Sequence, residues 1–369
     1  MSFELGRTVG GYEFLDVLDT SSMDVAYKVR NHLSQRLEAL KVLPANSSDD
    51  REGVERFLRE IKVHARLLHP NIVTFYNAAE LEGQLIMTTE FVEGITLTER
   101  VKQMGGLPWC EAFSHVTQIL LALGYAHEQG IVHRNVTPDS IILTADATVK
   151  LSGFGLAKLM ASPSLTQAGA VLGALGYIPP EQIRGVGTLD ARSDLYSVGV
   201  VLYEALTGRL PFDSQSQFQV MLDHVAAEPP APSAINPQVP PEFDSIVMTA
   251  LAKDPAARFQ SADQFRARLE GVRNTLRGKT GAPAVSGPSN REVPLETAAP
   301  VAARETVADT HLGAEGSPGP VLVPDGGSLV PAFCAVPPVH LGHRSLLILG
   351  VSSLAIGMVV AVLMTVARP

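Results

Sequence analysis

Cysteine is almost missing from this chain of 369 residues: only Cys110 and Cys334 occur. Two cysteines cannot build a disulfide framework or a Cys-based zinc site, and the plain expectation is two thiols in a reducing compartment. Positive charge is also short. Lys and Arg number 29 against 38 Asp and Glu, a net charge of −9, so a general affinity for nucleic acid is not expected. The opening residues, MSFELGRTVGGYEF, lack a basic start followed by an apolar run. That argues against a signal peptide and leaves the folded part in the cytoplasm.

What is present is periodicity, first of strands and then of helices. Tyr12 to Val29 reads as two strands around a turn, with Val25, Tyr27 and Val29 alternating, and Leu37 to Leu43 reads as a third. A helix from about Arg51 to Leu68 places Val54, Phe57, Leu58, Ile61 and Ala65 on one face. Strands follow near Ile72 to Ala78 and Gln84 to Phe91. Glu111 to Gln129 is an amphipathic helix, and DARSDLYSVGVVLYEALTG is apolar nearly all round between Leu195 and Leu206, as suits the centre of a lobe.

The stretch from His133 to Gly155, HRNVTPDSIILTADATVKLSGFG, carries the functional signal. It resembles the catalytic loop and metal-binding turn of the protein kinases, H-R-D-x-K-P-x-x-N followed by a hairpin and D-F-G. Further motifs agree in order: ALKVL, RFLREIKVHARLLHPNIV, GALGYIPPEQ and DPAARF. The resemblance runs from about Gly11 to Arg273 and is to the bacterial Ser/Thr protein kinases. It implies an α+β, two-lobed protein-kinase-like fold with a β-rich N-lobe and a helical C-lobe, preceded by an extension over residues 1–10.

Position by position, the resemblance implies a degenerate member of that family. The proton-accepting aspartate becomes Asn135, the phosphate-contacting lysine of the loop Thr137, the metal-binding asparagine Ser140 and the metal-binding aspartate Gly153. The glycine-rich loop becomes DTSSMD, with Asp19, Ser21 and Asp24 at the glycine positions, and Ala174 replaces the threonine that meets the catalytic aspartate. Phosphoryl transfer rests on positioning and on magnesium ions that bridge the nucleotide phosphates. Magnesium wants oxygen ligands; glycine offers none and serine a short neutral one. Asparagine keeps the shape of aspartate without its basicity, and loss of a general base alone costs about 10²- to 10⁴-fold.

The remaining family positions are kept. His133, Arg134, Phe154, Glu181, Asp194 and Arg258 match structural positions, with Glu181 expected to pair with Arg258 and Asp194 to hold the catalytic loop. Lys41 and Glu60 match the family ion pair of an active-like small lobe. Thr89 matches the gatekeeper, Glu90 to Val92 the hinge, and Val25, Ala39 and Ile142 the apolar ceiling and floor of an adenine slot. Phe75, His133 and Phe154 fall where the family stacks an internal spine. ATP is therefore the one cofactor the resemblance allows; no metal site is expected.

Residues 274–344 are rich in Pro, Ala, Gly and Ser without sustained periodicity and read as a disordered linker. Thr297, Thr306 and Thr310 there, and Ser162, Ser164 and Thr166 in the activation segment, are candidate phosphorylation sites. Residues 345–367, SLLILGVSSLAIGMVVAVLMTVA, carry no charge and suit a single membrane-spanning helix, which needs about 20 apolar residues. The expectation is a tail-anchored, single-pass protein of the cell membrane whose cytoplasmic domain is a pseudokinase. Its expected partners are an active kinase or a phosphoprotein complex. The alternatives are a weakly active or unconventional Ser/Thr kinase using ATP, and a nucleotide-gated switch without turnover.

Overall fold

The computed structural model describes residues 3–20, 25–43, 51–154, 175–185 and 189–279. Six strands make an antiparallel sheet: β1 (Thr8–Val9), β2 (Tyr12–Thr20), β3 (Val25–Asn31), β4 (Leu37–Val42), β5 (Phe75–Leu81) and β6 (Gln84–Glu90). Their spatial order is β1-β2-β3-β4-β6-β5. Aromatic packing closes one face, where Phe14 stacks on Phe3 at 4.6 Å and meets Tyr27 edge-on at 5.1 Å. Val29, Leu40, Val42 and Ile86 complete that cluster. A second cluster, Leu43, Phe57 and Met87, gathers Val54 and Ile61 of helix α1 (Arg51–His64), so the apolar stripe of α1 is what fastens it to the sheet.

A second sheet of three short strands follows, β7 (Gly94–Thr96), β8 (Ile141–Thr144) and β9 (Val149–Leu151). Gly94 is required there, because a Cβ would stand 2.3 Å from the Leu143 carbonyl oxygen. Thr96 then caps α2 (Leu97–Met104) in a reciprocal capping box with Glu99. The rest of the described chain is helical: α3 (Trp109–Glu128), α4 (Pro180–Arg184), α5 (Ala191–Thr207), α6 (Gln217–Ala226), α7 (Pro232–Ile235), α8 (Glu242–Ala250) and α9 (Ala262–Lys279). Asp190 caps α5, whose residues from Leu195 to Tyr203 are all buried. The helix is apolar all round because protein surrounds it all round.

Several boundaries move. Helix α1 stops at His64, four residues short of the periodic pattern, and β5 begins at Phe75 rather than near Ile72. The later start of β5 has a cause: residues 71–73 are used elsewhere, with Ile72 bridging Leu151 and Val73 N donating to the Leu151 carbonyl at 3.0 Å, while after α1 the chain closes tight turns through Arg66 N to Val63 O and Leu67 N to His64 O. Cys110 stands at the start of α3, and Cys334 lies outside the described residues. The linker beyond residue 279, the apolar run 345–367, Ser21, Asp24, Ala174 and the activation-segment hydroxyls also lie outside them. Among the described residues no helix is long and apolar enough to cross a membrane.

Candidate nucleotide and catalytic site

Strand register decides which side chains share the cleft face. Directly opposed residues of antiparallel strands point the same way, and the pairs Ala26 with Lys41, Lys41 with Met87, and Ala39 with Thr89 put these residues on one face. Lys41 Nζ donates to both Glu60 carboxylate oxygens at 3.0 Å, joining β4 to α1. Val25 does not belong to this group. It pairs with Val42 and packs against the aromatic cluster on the opposite face. A strand alternates with period two, so a one-residue slip in assignment exchanges the faces; Ala26 takes the cleft position assigned to Val25. Asp19 lies opposite Ala26 at the end of β2. Ile142 lies on β8, partly exposed, opposite both Thr96 and Lys150.

The catalytic loop hangs on one buried carboxylate. Asp194, in the first turn of α5, accepts from His133 N at 2.8 Å and Arg134 N at 2.7 Å, and lies 2.8 Å from His127 Nε2. Arg134 takes a left-handed conformation, φ +65°, and its side chain is exposed. His133 Nε2 lies 2.9 Å from the Ser152 carbonyl and its Nδ1 3.3 Å from Asn135 N. A carbonyl only accepts and an amide only donates, so the neutral ring carries its proton on Nε2. Burial holds the His133 pKa below its ordinary value, which keeps the ring neutral.

The four altered chemical positions behave differently. Asn135 is half-buried, and its bond to His133 comes from its backbone. Ser140 is buried and turned on its own loop: Oγ accepts from Thr137 N at 3.2 Å and donates to the Thr137 carbonyl at 2.7 Å. Gly153 sits at φ +82°, a conformation that glycine adopts at no steric cost. Thr137 is buried at the entry to this turn.

These donors do not fit a magnesium ion. Gly153 brings no ligand atom, and the only hydroxyl at the second position is committed to the loop backbone. Asp139 beside it is exposed, and Asp146 is held within its own hairpin by Thr144 and Thr148. Among the described residues no three His, Cys, Asp or Glu side chains are grouped to hold a metal.

The internal stack contains a residue that sequence reasoning missed. Phe154 meets His133 at 4.4 Å and also the ring of His64, edge-on at 5.9 Å. His64 follows Glu60 by four residues, one turn along the same helix face, and that spacing is the signal that could have found it. Burial, with Lys41 and His133 nearby, lowers its pKa to about 4. Phe75 lies against the Leu43, Phe57 and Met87 cluster.

Below the loop, Arg258 makes a bidentate pair with Glu181 at 2.8 Å to each oxygen. It also donates to the carbonyls of Ala252, Lys253 and Arg192. Burial pushes the Glu181 carboxyl up, but Arg258 and the Ser193 hydroxyl outweigh it and hold the group below its usual range.

Comparison with known proteins agrees with this geometry. Residues 12–268 match the protein kinase domain family. Serine/threonine-protein kinase PrkC of Bacillus subtilis (strain 168) is 36% identical over 267 residues, 72% of this chain and 41% of PrkC. Serine/threonine-protein kinase PknB of Mycobacterium leprae is 40% identical over 263 residues, 70% of this chain and 42% of PknB. The crystal structure of the Mycobacterium tuberculosis PknI kinase domain superposes with a TM-score of 0.58 at 31% identity, covering 73% of this chain and 99% of that one. The chain spans about two fifths of the length of these curated relatives. A two-lobed fold, the Lys41–Glu60 and Glu181–Arg258 pairs and a family match over most of its length place this chain in the bacterial Ser/Thr protein kinase family.

Proposed function

We propose that the protein is a pseudokinase: a kinase domain that keeps its scaffold and has given up phosphoryl transfer. The observation that carries this reading is the hydroxyl of Ser140, which spends its donor and its acceptor on Thr137 while Gly153 contributes no side chain. Asn135 adds the loss of a proton acceptor. The scaffold would then serve as an allosteric regulator or assembly platform in phosphorylation signalling, with an active kinase or a phosphoprotein complex as partner. Residues 345–367 would anchor it as a single-pass protein, with the domain in the cytoplasm.

The test is phosphotransfer by the purified full chain, with magnesium or manganese, to itself and to a generic protein substrate. No transfer above background is expected. Transfer that Asn135→Ala abolishes would establish the competing reading, an unconventional kinase. A second reading, a nucleotide switch without turnover, is favoured by the intact Lys41–Glu60 pair, because Lys41 beside Ala39 and Thr89 could hold a phosphate without a metal.

A further inference from the structure

The end of β6 carries a polar network that the nucleotide and catalytic positions do not use. Glu90 Oε2 accepts from Lys150 Nζ at 2.8 Å, from Thr74 N at 3.2 Å and from Thr74 Oγ1 at 3.1 Å. Thr74 returns the contact through its carbonyl, which accepts from Glu90 N at 2.8 Å. Glu90 and Thr74 belong to the large sheet and its approach, whereas Lys150 lies on β9 of the small sheet. One carboxylate oxygen therefore ties the two sheets together. Burial pushes the Glu90 carboxyl up, but the bonds from Lys150 and Thr74 outweigh it, so it is ionised at neutral pH.

The surroundings make this cation necessary. Across the β4–β6 ladder Glu38 stands opposite Glu90, and facing like charges on a sheet are destabilising. Each carboxylate has its own cation. Arg36 bonds Glu38 at 2.9 Å and lies over the Tyr76 ring at 3.5 Å, leaving Glu90 to Lys150. The backbone beside the pair also crosses between the sheets: Val73 N donates to the Leu151 carbonyl at 3.0 Å and Leu151 N to the Asn71 carbonyl at 2.8 Å. The Asn71 side-chain amide donates to the Val149 carbonyl at 2.9 Å. The Glu90–Lys150 ion pair sits beside these backbone crossings between the two sheets.

We propose that Glu90, Lys150 and Thr74 form a hinge clamp that fixes the relation of the two lobes with no nucleotide bound. The clamp depends on the charge of the pair and acts whether or not the domain turns nucleotide over.

The test is hydrogen–deuterium exchange of the full chain without nucleotide, read at the amides of Val73, Glu90 and Leu151. Glu90→Gln keeps the size and hydrogen-bonding capacity and removes the charge; Lys150→Met removes the cation. Each should raise exchange at these amides about tenfold while leaving those of α5 unchanged, and the double variant should add nothing, since both break one contact. If Lys150→Met does not fold, Thr74→Val removes one of the three donors and should give a smaller rise at the same amides. Unchanged exchange in Glu90→Gln, a rise in Lys150→Met alone, or effects that add in the double variant would overturn the clamp.

Discussion

The loop around Asn135 and the junction of Glu181 with Arg258 lie in the same lobe and use their polar side chains in opposite ways. Arg258 is fully buried and spends its guanidinium on a carboxylate and three carbonyls. Asn135, at the position where the family places its proton acceptor, is half-buried and is held through its backbone. The departures from the kinase pattern thus fall where a side chain served the reaction, and the fold keeps what it stands on. Ser140 is the instructive middle case, since its hydroxyl has become part of the loop's own bonding.

Breaking the structural side of that contrast should have the largest effect. Arg258→Met takes both guanidinium bonds from Glu181, leaving it the Ser193 hydroxyl, and strips three carbonyls of this donor; loss of one partner of a buried pair costs about 3–5 kcal/mol. Denaturant unfolding should show it as a lower midpoint with an unchanged slope. Next comes acid sensitivity. His64, His115 and His224 are buried with pKa values of about 4, below the ordinary 6.5. The unfolded chain takes up protons that the folded chain refuses, so stability falls as pH drops from 6.5 towards 4. Each such histidine contributes up to about 1.4 kcal/mol per pH unit. His64→Leu should remove its share of that slope in unfolding measured between pH 7 and pH 5.

Ser140→Ala is expected to be milder. It removes an acceptor from Thr137 N and a donor to the Thr137 carbonyl, worth about 1–2 kcal/mol together. The smallest effect belongs to Asn135→Ala, within about 0.5 kcal/mol, as for a half-buried side chain that makes no hydrogen bond among the described residues. A large loss of stability there would end the contrast.

Much of this was legible in the sequence, and the misses share a cause. Lys41 with Glu60, Asp194 with the catalytic loop, and Glu181 with Arg258 are each framed by several fixed neighbours, so counting along the chain finds them. Val25 was misplaced because a strand assignment that slips by one residue changes face, and only the register with β4 shows that Ala26 faces Lys41. The late start of β5 arises because residues 71–73 pair with β9, a long-range partner that no local periodicity reveals. His64 was passed over because nothing local ties it to Phe154, although it lies edge-on to that ring. Glu90 and Lys150 are 60 residues apart, and nothing local joins them.

The most direct test of the central reading is a thermal unfolding series on the full chain with no ligand, with ATP, and with ATP and magnesium. A ligand that binds only the folded state adds about 2.7 kcal/mol at a hundred times its dissociation constant, well within detection. Because Gly153 and Ser140 leave magnesium no ligands, the metal is expected to add nothing to whatever shift ATP gives. A shift that appears only with magnesium would contradict that expectation and restore this site to the enzymes.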